Sequence, residues 1–112
     1  MPSSVNPNLR CEVDPDGRSV RIRLVGELDI ATVGAFSDKC DALLADGYEH
    51  LMLDLRDLTF MDSSGLRAIV KLHRDAPGLQ IIDGPEPVQR VFTVTGLRRH
   101  LPFADPLGDH VA

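Results

Sequence analysis

The chain is predicted to be an α/β fold, a mixed sheet of four to five strands covered by three to four helices. Three observations predict it. Two short runs, Leu9-Cys11-Val13 and Val20-Ile22-Leu24, are apolar at every second position and flank a turn, as in an antiparallel hairpin. Segments of helical period then alternate with short apolar runs. The resulting order, ββαβαβα, joins the later strands by crossovers, which makes the second, third and fourth strands parallel.

Each element has its local reason. In the first strand Arg10 and Glu12 alternate with the apolar residues, and Asp14-Pro15-Asp16-Gly17 forms the turn, with Pro presetting φ and Gly accepting positive φ. Arg21 and Arg23 face away from Val20, Ile22 and Leu24, and Gly26-Glu27-Leu28-Asp29 breaks the second strand. Asp29 is the expected N-cap of a helix whose apolar stripe is Val33, Phe36, Cys40, Leu43 and Leu44, stopped by Gly47. Leu51 to Leu55 is the near-continuous apolar run of a strand covered on both faces. Leu66, Ile69, Val70 and His73 share one face of the next helix, which Pro77-Gly78 ends. Leu79-Gln80-Ile81-Ile82 is the fourth strand. Pro85 and Pro87 suit a helix start, Val88, Val91, Phe92 and Thr95 make that helix's inner face, and Gly96 is placed as C′. A short edge strand is expected within Leu97–Phe103, limited by Pro102. The organisation is one domain over residues 8–104, with a flexible N-terminus at 1–7 and a short C-terminal tail at 105–112.

The 112 residues fit one domain, and a 43% hydrophobic content is enough for a core of mostly Leu, Val and Ile. A net charge of -5, with no basic run longer than Arg98-Arg99, disfavours direct nucleic-acid binding. No apolar run approaches the ~20 residues of a membrane-spanning helix, and Met1 to Val5 lacks a signal-peptide core, so a cytoplasmic location with no membrane association is expected. Cys11 and Cys40 fall on apolar phases and are expected as buried thiols, and the four histidines show no metal-ligand spacing. Neither a cofactor nor a metal is expected.

The most informative stretch is Asp62-Ser63-Ser64-Gly65-Leu66, where an apolar strand gives way to a helix. A helix N-terminus offers unpaired N–H groups and partial positive charge, a favourable place for a phosphate. Ser63 therefore reads as a phosphorylation switch on a small partner-binding domain, not as a catalytic nucleophile. The plainer alternative is a helix cap, worth ~0.5–2 kcal/mol over alanine. Asp62 reads either as a turn-stabilising carboxylate or as a recognition group. Because parallel strands end at one edge, Asp29, Ser63 and Asp83-Gly84 are expected together there, where open α/β sheets commonly bind ligands.

Three segments in order, Gly26-Glu27-Leu28-Asp29, Asp57 to Leu66 and Val91 to Leu97, resemble the signature segments of bacterial anti-sigma factor antagonists. These belong to the STAS domain family, shared with sulfate transporter tails. The likeness covers about residues 9–104 and implies a STAS-like fold. It implies a partner, an anti-sigma factor that is also a serine kinase of the histidine-kinase-like ATPase fold. The unphosphorylated antagonist binds this kinase and frees the sigma factor, phosphorylation releases it, and a metal-dependent, PP2C-type serine phosphatase restores it. The acceptor implied is the first serine after the motif Asp, Ser63 and not Ser64. The implied partner-binding residues are Asp29, Asp62, Ser64, Gly65 and Arg67, and a monomer in stress-responsive transcription regulation is expected. Two departures stand out. Relatives usually carry a small residue where this chain has Arg67, and the helix after the motif ends early, at Leu72 to Pro77.

Other classes fit less well. A hydrolase serine sits in Gly-x-Ser-x-Gly with a His and an acid, a frame Ser63 lacks, and the chain has no phosphate-binding Gly-rich loop. A response-regulator receiver would use Asp54 or Asp57 as acceptor, but needs an acidic pair after the first strand and a late lysine, and the lysines here are Lys39 and Lys71. A non-phosphorylated STAS scaffold, or a subunit of a lipid-transport or signalling complex with a nucleotide at the sheet edge, keeps the fold and changes the biology.

Overall fold

The computed structural model describes residues 7–104. Pro7 lies in a turn, and the expectations for residues 1–6 and for the 105–112 tail fall outside the described residues. The hairpin forms from β1 (Leu9–Asp16) and β2 (Ser19–Leu28), antiparallel as expected. Its turn is shorter than the sequence suggests. Pro15 and Asp16 still pair, with Val20 and Ser19, leaving a two-residue loop of Gly17 and Arg18. Gly17, at φ 63°, supplies the positive φ that a two-residue hairpin loop needs. Pro is tolerated because β1 is an edge strand.

β2 does not break at Gly26. It runs on to Leu28, with register shifts on either side of a Val25-Gly26 step. Gly26 sits at φ 119°, and a Cβ there would lie 2.2 Å from the Asn8 carbonyl oxygen, so only glycine fits the bulge. Helix α1 (Val33–Ala45) buries Phe36, Cys40 and Leu43. β3 (His50–Met61) is more than twice the length of its apolar run, because its second half pairs with Val25 to Leu28. Helix α2 (Ser63–Asp75) buries Leu66, Ile69 and Leu72, while Val70 and His73 are half-buried. β4 (Leu79–Ile82) pairs with Leu51 to Asp54. Helix α3 (Glu86–Val94) buries Val88 and Phe92 and leaves Thr95, just beyond it, exposed. It ends in a Schellman motif: Gly96, at φ 75°, donates to the Thr93 carbonyl and Leu97 N–H to the Phe92 carbonyl. No fifth strand forms from Leu97–Phe103. Arg98–His100 make one 3-10 turn, and only Phe103 bridges to Ile81.

The sheet order is β1-β2-β3-β4, with β2, β3 and β4 parallel. Leu24, Leu53, Leu55 and Ile81 join Phe36, Leu66, Ile69 and Phe92 in one core. The three helices therefore lie on one face, and the expectation of a β3 covered on both faces is corrected. Alternate β3 positions turn to the open face, where Met52 is half-buried, Asp54 is buried and Arg56 is exposed. Asp54 is only 1% exposed. Its Oδ1 accepts from Arg56 Nε at 3.0 Å and from Arg56 N–H at 3.0 Å, and its Oδ2 from the second arm of the guanidinium at 2.8 Å. Burial pushes the Asp54 carboxyl up, but the Arg56 bonds outweigh it and hold the group below its ordinary range. On the covered face, burial pushes the Cys40 thiol up to about 12 and also raises Cys11.

Candidate functional site

Two loops meet at the end of β2 and β3. The first, Asp29 to Thr32, leads into α1. The helix is first continuous at Val33, with Thr32 in the cap position and making no side-chain cap bond. Asp29 instead caps the turn before it: its Oδ1 accepts from Ala31 N–H at 3.0 Å and Thr32 N–H at 3.2 Å, and its carbonyl accepts from Val33 N–H at 2.8 Å. The expectation of Asp29 as the cap of α1 is thus corrected by one turn, because Thr32 is drawn inward. Thr32 is 0% exposed; its Oγ1 donates to the Glu27 carbonyl at 2.8 Å and accepts from Asp29 N–H at 2.9 Å. A buried hydroxyl with both roles filled fixes the loop against β2.

The second loop is the corner from Met61 into α2. Asp62 is the N-cap, and its Oδ1 accepts from Ser64 N–H at 2.8 Å and Gly65 N–H at 3.2 Å. Its Oδ2 accepts from Ile30 N–H at 3.3 Å, and its own N–H donates to the Leu28 carbonyl at 3.2 Å. Oδ1 thereby caps α2, while Oδ2 ties the corner to the first loop. Ser63 is not the cap but the first helical residue, and it is exposed. Ser64 is half-buried, and Arg67 is exposed one turn further on. Gly65 is buried. A Cβ there would come within 2.8 Å of both Leu28 and Met61, so Gly65 lets α2 settle on the strand ends and does not offer a surface contact.

The structure brings Asp29, Asp62, Ser63, Ser64 and Gly65 together and leaves Asp83-Gly84 out. β4 ends opposite Asp54, seven residues before Met61. At about 3.3 Å per residue that separates Asp83 from the corner by roughly 20 Å. Asp83 is committed elsewhere, to an ion pair with Arg98, whose guanidinium stacks 4.4 Å from the Phe103 ring. The sequence reading also missed Ile30, 75% exposed beside Asp62, and Phe60, 47% exposed near the end of β3. An apolar residue in a turn belongs to no period, so periodicity carries no signal for Ile30. An open groove of about 800 Å3 lies elsewhere, among Asp14, Arg21, His50, Met52, Gln80 and Phe103, and shares no residue with the corner. Among the described residues, no group of three or more His, Cys, Asp or Glu could hold a metal ion, and no helix is long and apolar enough to cross a membrane.

A one-sided mixed sheet whose strand-to-helix corner presents an exposed serine defines a small domain of the SpoIIAA-like α/β class. The chain belongs to the STAS domain family: the family profile described as "Mlab, STAS domain" matches residues 11–103. An anti-sigma F factor antagonist of Paenibacillus polymyxa is 35% identical over 103 residues, covering 88% of each chain. The solved structure of an anti-sigma factor antagonist from Mycobacterium paratuberculosis superposes with a TM-score of 0.80 at 23% identity, over 95% of this chain and 94% of that one, and so supports the fold. The phosphorylated form of the Bacillus cell fate determinant SpoIIAA gives a TM-score of 0.62 at 28% identity, over 92% of this chain and all (100%) of that one. Anti-sigma factor antagonists are regulators and not enzymes.

Proposed function

We propose that this chain is an anti-sigma factor antagonist that works by phosphorylation-controlled partner switching, with Ser63 as the acceptor. One observation carries the reading: Ser63 is exposed at the first turn of α2, on a corner braced from beneath and edged by the apolar Ile30. The unphosphorylated corner binds an anti-sigma factor that is also a serine kinase. Phosphate adds about -1.5 to -2 charges at neutral pH. A partner packed on Ser63 would have to desolvate that charge, which is costly. The fold beneath does not depend on the Ser63 hydroxyl, because the cap is Asp62. Phosphorylation therefore changes who binds and leaves the domain folded. A PP2C-type serine phosphatase would reset the switch, and the setting would be the cytoplasm.

The test is incubation with candidate anti-sigma kinases and ATP, followed by site mapping. Stoichiometric phosphate on Ser63, absent from Ser63→Ala, is the expected result, together with loss of kinase binding in the phosphorylated chain. Phosphate on Ser64, or none from any cognate kinase, would overturn the switch and favour the scaffold reading.

A further inference from the structure

We propose that Arg67 is an intramolecular counter-ion for a phosphate on Ser63, so that the modified state is held by a charge within α2 itself. The inference rests on the reading of Ser63 as acceptor and adds how this chain in particular accommodates the modification. Ser63 and Arg67 are both exposed and four residues apart on α2. Such residues are neighbours on the helix surface, about 5–6 Å apart at Cβ. Helical side chains lean toward the N-terminus, so a side chain at position 67 can reach over the turn that carries Ser63.

Arg67 is also available. Among the described residues it makes no hydrogen bond or ion pair. Arg23, Arg56 and Arg98, by contrast, are each held by a carboxylate. The next cation along the helix, Lys71, is engaged by Asp75 at 2.7 Å. Arg74 is exposed but eleven residues from Ser63, roughly 16 Å along the axis.

A phosphate at this place needs such a partner. The helix N-terminus would ordinarily cradle it with backbone N–H groups. Here the Ser64 and Gly65 N–H groups already bond Asp62, whose carboxylate stands next to the acceptor, with Asp29 in the neighbouring loop. A dianion on Ser63 would meet the adjacent Asp62 carboxylate and a helix end whose donors are partly committed. The Arg67 guanidinium can offer two parallel N–H donors to phosphate oxygens, which an ammonium cannot. Capture of the phosphate also withdraws a free cation from the docking face at the moment the partner must leave.

The test uses the full chain with phosphoserine incorporated at position 63 during translation, followed by phosphorus NMR as pH is varied. The second ionisation of phosphoserine lies near pH 6. The Asp62 carboxylate is the same in every variant, so differences report the cation. In the wild type it is expected lower than in Arg67→Ala by roughly half a unit or more, with Arg67→Lys between them and Arg74→Ala equal to wild type. Equal values in wild type and Arg67→Ala would overturn the proposal, as would a rise in Arg74→Ala as large as that in Arg67→Ala. The phosphate is installed without a kinase, so a chain that no kinase modifies would end the switch reading and leave this result standing.

Discussion

On the open face of the sheet, Arg23 sits between Glu12 at 3.2 Å and Asp57 at 2.6 Å, and Arg56 closes a fork on Asp54. At the α2 corner, Arg67 has no hydrogen-bond or ion-pair partner among the described residues, and Ile30 keeps 75% of its surface in water. The open face has settled its charges within the chain. Pairs held by water-exposed guanidinium groups add little to stability, because solvent and salt screen them. Yet stripping those pairs for a new partner gains little, since every new contact replaces an old one. The corner is firm underneath, through Asp62 and Thr32, and unsatisfied on top. Firm support with unmet surface valences is what a docking surface needs, because little is spent on ordering when the partner arrives.

The sharpest way to break this contrast is at Ile30. Replacing a central apolar anchor typically lowers affinity by about 2 kcal/mol or more, roughly 30-fold. Ile30→Glu is therefore expected to weaken anti-sigma factor binding at least that much, while the thermal midpoint scarcely moves, because so little of the side chain is buried. Binding measured by calorimetry, beside Gln80→Glu on the open face as the comparison, decides it. An equal loss from both variants would erase the distinction between the two regions.

A second variant separates the top of the corner from its support. Gly65→Ala would force a methyl group into space held by Leu28 and Met61. Overpacking of this kind costs about 1–3 kcal/mol. Urea unfolding should show that loss, with affinity per folded molecule largely kept. Unchanged stability with lost binding would return Gly65 to the partner surface.

Much of this was legible in the sequence, for reasons that differ by element. The hairpin and the helices α1 and α3 follow from apolar periods, and Gly96 marks its Schellman motif because few other residues accept φ 75°. Strand ends were not legible. Gly26 looks like a breaker, but pairing with Leu58 carries the strand through it. Arg56-Asp57 and Thr59-Phe60 interrupt the apolar pattern of β3, yet pairing of Asp57 with Val25 and of Phe60 with Glu27 carries the strand through them. Misjudged lengths then misplaced Asp83, since a shared edge requires strands that end level. That Asp62, Ser63 and Gly65 share one strand-to-helix corner was legible because the motif is contiguous. Thr32 and Ile30 were not, because one acts through contacts made only on folding and the other through their absence.

The smallest effect belongs to the open face and reads the contrast from the other side. Asp54 is buried, and its carboxyl lies below the ordinary value of 3.8 because the Arg56 bonds outweigh burial. A group depressed on folding contributes stability that is present above its unfolded pKa and is lost as pH falls through the folded one. Arg56→Ala removes the guanidinium and leaves burial opposed by the Arg56-position N–H and Arg21. The Asp54 carboxyl then titrates higher than in the wild type, so the variant is less stable at neutral pH. The gap between the two proteins should narrow as pH drops below 3.8, where both forms become protonated. Urea midpoints compared at neutral and acidic pH measure it. A gap that stays constant would mean that Arg56 supports Asp54 by packing its aliphatic stem and not by charge, and the open face would then be less electrostatically closed than its ion pairs suggest.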